Sequence, residues 1–256
     1  MKPIVFLVST LLYMSLNAQL PLLKSQIYAW DSFPAKKGPD REARQLMEGQ
    51  TTHYEYLEIH ATTQYKGAVP RPPHAQNNLE ELILVKEGTM KFTMDDKEAI
   101  LGPGSAILIP PFAMQALQNI GNGPLTYYVL MFRSKKPMDM DRSKASGGAL
   151  FVNVDDLKFN QTDKGGRLNY FNRATAMNEN YEIHVTQLDR PGLSHEAHSH
   201  IDSEIILVID GETEVLIDGQ SHKGKAGDLY LIKSNEVHSI KNIGNKPCRY
   251  FALRWK

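Results

Sequence analysis

Residues 195–204, HEAHSHIDSE, hold three histidines and two glutamates just ahead of an apolar run that ends at Gly211. An extended chain alternates its side chains between two faces, so His198, His200 and Glu204 share a side. His238 supplies a fourth group from GDLYLIKSNEVHSIKN (227–242), where it follows a strand and a turn. Three imidazole nitrogens and one carboxylate oxygen suit a divalent transition metal: Mn, Fe, Ni, Zn, Co or Cu. Four protein ligands on an octahedral ion leave two positions open for water, substrate or dioxygen. His195 is off this parity and stands outside the expected set. His222, in the turn DGQSHKG, reads as solvated.

These residues sit in the second half of a repeat. EELILVKEG (80–88) aligns with SEIILVIDG (203–211) at an offset of 123, and QNIGNGPLTYYVL (118–130) aligns with KNIGNKPCRYFAL (241–253) at the same offset. Earlier in the chain the offset is 124, where EIHATT (58–63) meets EIHVTQ (182–187) and His74 meets His198. One extra residue between Gln76 and Glu81 accounts for the slip. So many identities at one spacing mark a tandem duplication. Each copy is a series of short Ile, Leu, Val, Tyr and Phe runs broken by Gly, Asn, Asp and Pro. That rhythm predicts an all-β fold of two like barrels, at about residues 57–133 and 166–256.

At the four candidate positions the first copy reads His74, Gln76, Glu81 and Gln115. Amides hold such metals weakly compared with imidazoles, so one metal is expected, in the second copy. The alternative is a small-ligand or weak metal site in the first barrel. His60 and His184 recur at matched strand positions and read as structural. Residues 19–56 are expected to form an N-terminal arm; no amphipathic helix of length is expected, apart from a turn of one near DREARQLMEG (40–49). Residues 134–165, charged and bearing Gly and Ser, read as a surface linker, or else as one short helix.

The motifs resemble those of the cupin superfamily. HSHIDSEIILVIDG, with Gly192 ahead of it, matches the first cupin motif through His198, His200, Glu204 and Gly211. Gly227, His238 and Asn242 match the second in spacing, while Lys233 and Asn235 stand where the family carries Pro and Gly. Asn tolerates the left-handed backbone of a turn, so that departure leaves the ligands in place. The resemblance implies two tandem jelly-roll (double-stranded β-helix) barrels, a bicupin, and a metal. It does not fix the reaction, because one such fold hosts many chemistries.

The chain has 256 residues, with 29 Lys plus Arg against 29 Asp plus Glu. This balance gives no basic surface for nucleic acid. MKPIVFLVSTLLYMSLNAQ places Lys2 before an apolar run from Ile4 to Leu16 and the small residue Ala18. It follows the plan of a signal peptide spanning 1–18, and implies a periplasmic or secreted protein with no membrane contact after cleavage. The alternative is a buried N-terminal strand or helix. With Cys248 as the one cysteine, no intramolecular disulfide forms.

Three kinds of activity fit. An oxygenase or oxidase, placed first, would gather substrate and dioxygen at the metal. A Lewis-acid isomerase, lyase or aminohydrolase would resemble the sugar-processing and ureidoglycine aminohydrolase cupins. A non-catalytic metal or ligand-binding module is the third. Tyr230, Tyr250 and Arg254 are the candidate catalytic residues, on strands that could line the barrel. An arginine there would favour a small anionic substrate through a bidentate contact. A homo-oligomer is compatible with all three readings.

Overall fold

The computed structural model describes residues 20–256. The signal peptide expected at 1–18 lies outside them. Among the described residues no helix is long and apolar enough to cross a membrane.

Two seven-stranded antiparallel sheets dominate. The first runs Leu150–Val152, Ala106–Ile109, Glu80–Glu87, Leu125–Ser134, Tyr54–Gln64, Arg41–Gly49 and Lys36–Lys37. The second runs Gln26–Tyr28, Leu229–Ile232, Ser203–Asp210, Cys248–Trp255, Tyr181–Leu188, Gly165–Arg173 and Phe159–Thr162. Position by position these are repeat equivalents. Smaller sheets close each barrel: Met90–Met94 between Lys97–Leu101 and Gln115–Asn119 in one, and Glu212–Ile217 between Gln220–Lys225 and His238–Asn242 in the other, with Gly192–Leu193 at its edge.

Burial explains why the central strands read as unbroken apolar runs. In LILV and IILV one set of side chains enters its own barrel: Ile83 and Val85 in the first copy, Ile206 and Val208 in the second. The alternate set, Leu82, Leu84, Ile205 and Leu207, enters a third core between the barrels. A strand buried on both faces loses the polar–apolar alternation of a half-exposed one. Across this shared core the Tyr54 ring stacks on Trp255 with centroids 5.1 Å apart. The Tyr54 hydroxyl donates to Asn178 Oδ1 at 2.6 Å.

The duplication reaches further back than its identities show. Gln26–Tyr28 pairs with Leu229–Ile232 of the other copy, and Leu150–Val152 pairs with Ala106–Ile109. Each copy thus lends its opening strand to its partner's sheet. The stretch 40–49, expected as a turn of helix, is the nine-residue strand Arg41–Gly49. Its equivalent is Gly165–Arg173, and both carry a register shift at the same place, Gln45/Met47 and Asn169/Phe171. Between the barrels there is one short helix, Met140–Ala145, capped by the Asp139 carboxylate on Arg142 N at 2.8 Å.

Candidate metal centre

The first ladder residue of the second barrel's central strand is Ser203, so His198 and His200 precede the strand and its parity does not position them. A two-way backbone bridge does. His198 N donates to His238 O at 3.0 Å, and His238 N donates back to His198 O at 2.8 Å. Asn235 N, at 2.8 Å from His200 O, ties down the next residue. Asn235 stands at φ 65°, the left-handed geometry expected of a turn glycine. His74 and Gln115 make the same antiparallel bridge in the first barrel.

Ligand-capable atoms of His198, His200 and His238 all lie within 4.8 Å of one another. Ligands about 2 Å from a common ion stand roughly 3–4 Å apart, so the three rings are spaced for one. Each Nδ1 faces a backbone carbonyl two residues away: Glu196 O at 3.4 Å from His198, Asp202 O at 3.0 Å from His200, and Glu236 O at 2.9 Å from His238. A carbonyl only accepts, so Nδ1 carries the proton and Nε2 keeps its lone pair. Buried Nε2 atoms of His200 and His238 have no hydrogen-bond partner among the described residues. Both lie beside one carboxylate oxygen, Glu204 Oε2, at 3.3 and 3.2 Å. Two imidazole nitrogens and an anionic oxygen converging in a buried place are a donor set that fits a divalent cation.

Electrostatics favour the ligating forms of Glu204 and His198, while His238 leans toward its protonated form. Burial raises the Glu204 carboxyl, but His200 and His238 outweigh it and hold the group below the usual carboxylate range. Burial, with His195 and His238 alongside, lowers His198 and favours its neutral, ligating form. Burial lowers His238 too, yet Glu204 draws it above the ordinary imidazole value.

A cavity of about 620 Å³ opens onto these residues. His195, outside the expected set, lines it with its ring 4.4 Å from that of His198. Tyr250 and Arg254 also line it; Tyr230 does not. The Tyr230 side chain is spent at the barrel's far end, where its hydroxyl meets Thr213 Oγ1 at 3.0 Å. Strand register places Arg254 between Glu204 and Glu182 in one row. Its Nη2 donates to Asp202 Oδ2 at 2.7 Å, while its buried Nε has no partner among the described residues. Glu182 also holds His184 Nδ1 at 3.2 Å and Arg167. The His184 contact first, then Arg167, draws Glu182 down to about 2 against its burial. The recurring Glu-x-His of EIHATT and EIHVTQ was the trace of this pair: Glu58 Oε1 likewise meets His60 Nδ1 at 2.8 Å.

The first barrel is the built-in contrast. Gln115 Nε2 donates to Glu81 Oε2 at 2.8 Å, so an amide satisfies the carboxylate that histidines face in the second copy. In the row of Arg254, flanked by Glu81 and Glu58, stands Met131. Gln115→Ala is expected to leave metal content unchanged. Gln76→His with Gln115→His is expected to add a second ion per chain, counted by elemental analysis.

The model for the "Cupin domain" matches residues 61–131 and 185–254, more than half of the chain. Among solved structures, protein Ylba from E. coli is 14% identical, with a TM-score of 0.70 over 94% of this chain and 95% of that one. The oxalate decarboxylase of Lactobacillus farciminis, solved as a formate complex, is 13% identical, with a TM-score of 0.71 over 91% and 87%. An oxalate decarboxylase of Bacillus subtilis described with Mn(II) centres is 14% identical, with a TM-score of 0.68 over 90% and 77%. At such identities the likeness is one of fold. No curated protein matches the chain.

Proposed function

The chain belongs to the cupin family, and we propose that it is a metal-dependent enzyme acting on a small anionic organic molecule in its second barrel. The observation that carries this reading is the cluster of His198, His200 and His238 within 4.8 Å of one another, with Glu204 beside the last two and each Nδ1 turned to a backbone carbonyl. A bound divalent ion would supply a Lewis acid with open coordination positions. The protein's own part is to orient those ligands, to exclude water with the apolar walls beneath them, and to place a cation beside the reacting molecule.

That cation is Arg254. It lines the cavity with part of its side chain exposed, and would give an incoming carboxylate a charge-assisted donor. Two of the similar structures are oxalate decarboxylases and one is described with manganese, so oxalate and Mn(II) are the first probes to use. Arg254→Met installs the residue of the metal-poor copy. It is expected to weaken carboxylate binding about tenfold to a hundredfold, as loss of one charged hydrogen bond would, with metal content unchanged. Calorimetry on the metal-loaded chain measures this.

Elemental analysis with an oxygen electrode separates the reaction classes. Iron or copper with substrate-dependent oxygen uptake assigns an oxygenase or oxidase. Manganese or zinc without uptake assigns Lewis-acid chemistry. A purified chain that holds no transition metal after loading would overturn the proposal.

A further inference from the structure

The two copies are unequally filled where they meet. Trp30 and Val154 are repeat equivalents, each opening a short 3-10 turn two residues after an exchanged strand. A Cβ on Gly227 would come within 3.4 Å of Trp30, and one on the equivalent Gly104 within 3.3 Å of Val154. The two side chains therefore point into the same place in their respective halves. On one side that place is full. The Trp30 indole meets the Tyr128 ring edge-on at 5.8 Å, with the Arg44 guanidinium 4.5 Å and the Lys86 ammonium 5.4 Å from its ring centre.

On the other side the equivalents of Tyr128, Arg44 and Lys86 are Phe251, Leu168 and Ile209. These three line a cavity of about 400 Å³ together with Val154, Gly104 and Tyr170. Valine has no ring, so room that an indole fills in the first half stays open in the second. Well-packed interiors leave few voids of this size, and apolar cavities of roughly 300–1,000 Å³ are characteristic of ligand sites.

We infer that this cavity between the barrels binds a planar, uncharged aromatic molecule of one or two rings, seated where the other copy seats the Trp30 side chain. The walls choose the class. Leu168 and Ile209 take the places of Arg44 and Lys86, and the charged residues that do line the cavity are engaged elsewhere. Lys86 lies over the Trp30 ring, Glu87 accepts from Thr126 Oγ1 at 2.6 Å, and Asp210 accepts from Arg249 Nε at 2.9 Å, so a charge on the ligand would find no free partner. The Phe251 and Tyr170 rings, 5.3 Å apart, offer edges and faces to a third ring. The Tyr170 hydroxyl is already committed to Gly104 O at 2.5 Å. None of the residues lining this cavity lines the cavity over the metal centre. The inference is therefore independent of the proposed reaction.

Titration of 5-fluoroindole into the full chain, followed by fluorine NMR, tests it. Saturable binding of one molecule per chain is expected. Val154→Trp, which supplies the missing ring from within, is expected to weaken binding at least tenfold and to leave metal content as it was. An aryl-diazirine analogue is expected to crosslink to peptides containing Leu168, Tyr170 or Phe251, and this readout stands even where the variant does not fold. Absence of saturable binding, unchanged binding by a folded Val154→Trp chain, or crosslinks confined to peptides of the metal centre would each overturn the inference.

Discussion

Replacing His238 by alanine is expected to lower metal content from about one ion per chain to less than about a tenth, and to abolish activity with it. Three imidazoles and a carboxylate make up the proposed set, and loss of even a residue that only orients a ligand costs metal sites about 10- to 100-fold in affinity. A ligand removed outright costs more. His198→Ala should behave alike, because the same backbone bridge fixes both residues. The fold should survive, since the inter-barrel core and the second barrel's own apolar core contain neither histidine. Elemental analysis and circular dichroism of the two variants settle it. Retained metal in either one, with the fold intact, would move the centre elsewhere.

The contrast between the copies makes this expectation sharper than a lone histidine cluster would. Both barrels hold the carboxylate, at Glu81 and Glu204, and both make the bridge to the residue at 115 or 238. They differ in what faces the carboxylate. A glutamine N–H donates to it in the first barrel, whereas two imidazole nitrogens face it in the second.

Much of this was legible in the sequence, because the offset of 123 aligns chemistry as well as apolar pattern. His198, His200, Glu204 and His238 could be set beside His74, Gln76, Glu81 and Gln115 from the text alone. The exchanged strands were not legible. QIY and LFV are three residues each, too short for any periodicity, and their partners are more than 40 residues away in one case and about 200 in the other. Arg41–Gly49 read as a turn of helix because its alternation is half polar. Its equivalent Gly165–Arg173 shares almost no identity with it, and only the common register shift reveals the match. Tyr230 illustrates the limit of face arguments. It does point into the barrel, but at the end where Thr213 takes its hydroxyl. His195 shows the converse, since a loop can bring an off-parity residue to the cavity.

Glu80 is another place where the copies part, opposite Ser203 in the repeat, and it should govern how stability varies with pH. Its fully buried carboxylate accepts from Thr175 Oγ1 at 2.6 Å, Met177 N at 3.0 Å and Ala176 N at 3.3 Å. These donors belong to the turn between Gly165–Arg173 and Tyr181–Leu188, so one side chain of the first barrel holds a turn of the second. Burial pushes the carboxyl up to about 7 from 4.5, against the pull of Thr175 and the two backbone N–H groups. A raised folded-state value means that the protonated form is the more stable one in the fold. The associated stability is fully present below about pH 4.5, declines as pH rises, and is gone above about pH 7. A shift of this size is on the order of 3 kcal/mol, several degrees in Tm for a chain this long. Glu80→Gln should flatten the dependence between pH 5 and 8, within about a unit of the carboxyl's value, because an amide does not titrate. Glu80→Ala should cost about 3 kcal/mol or more at every pH, since three buried donors lose their acceptor. Thermal melts of the three chains across that range carry the comparison. Parallel slopes for the parent and Glu80→Gln would mean that another group sets the dependence and that Glu80 serves as a clamp in one protonation state only.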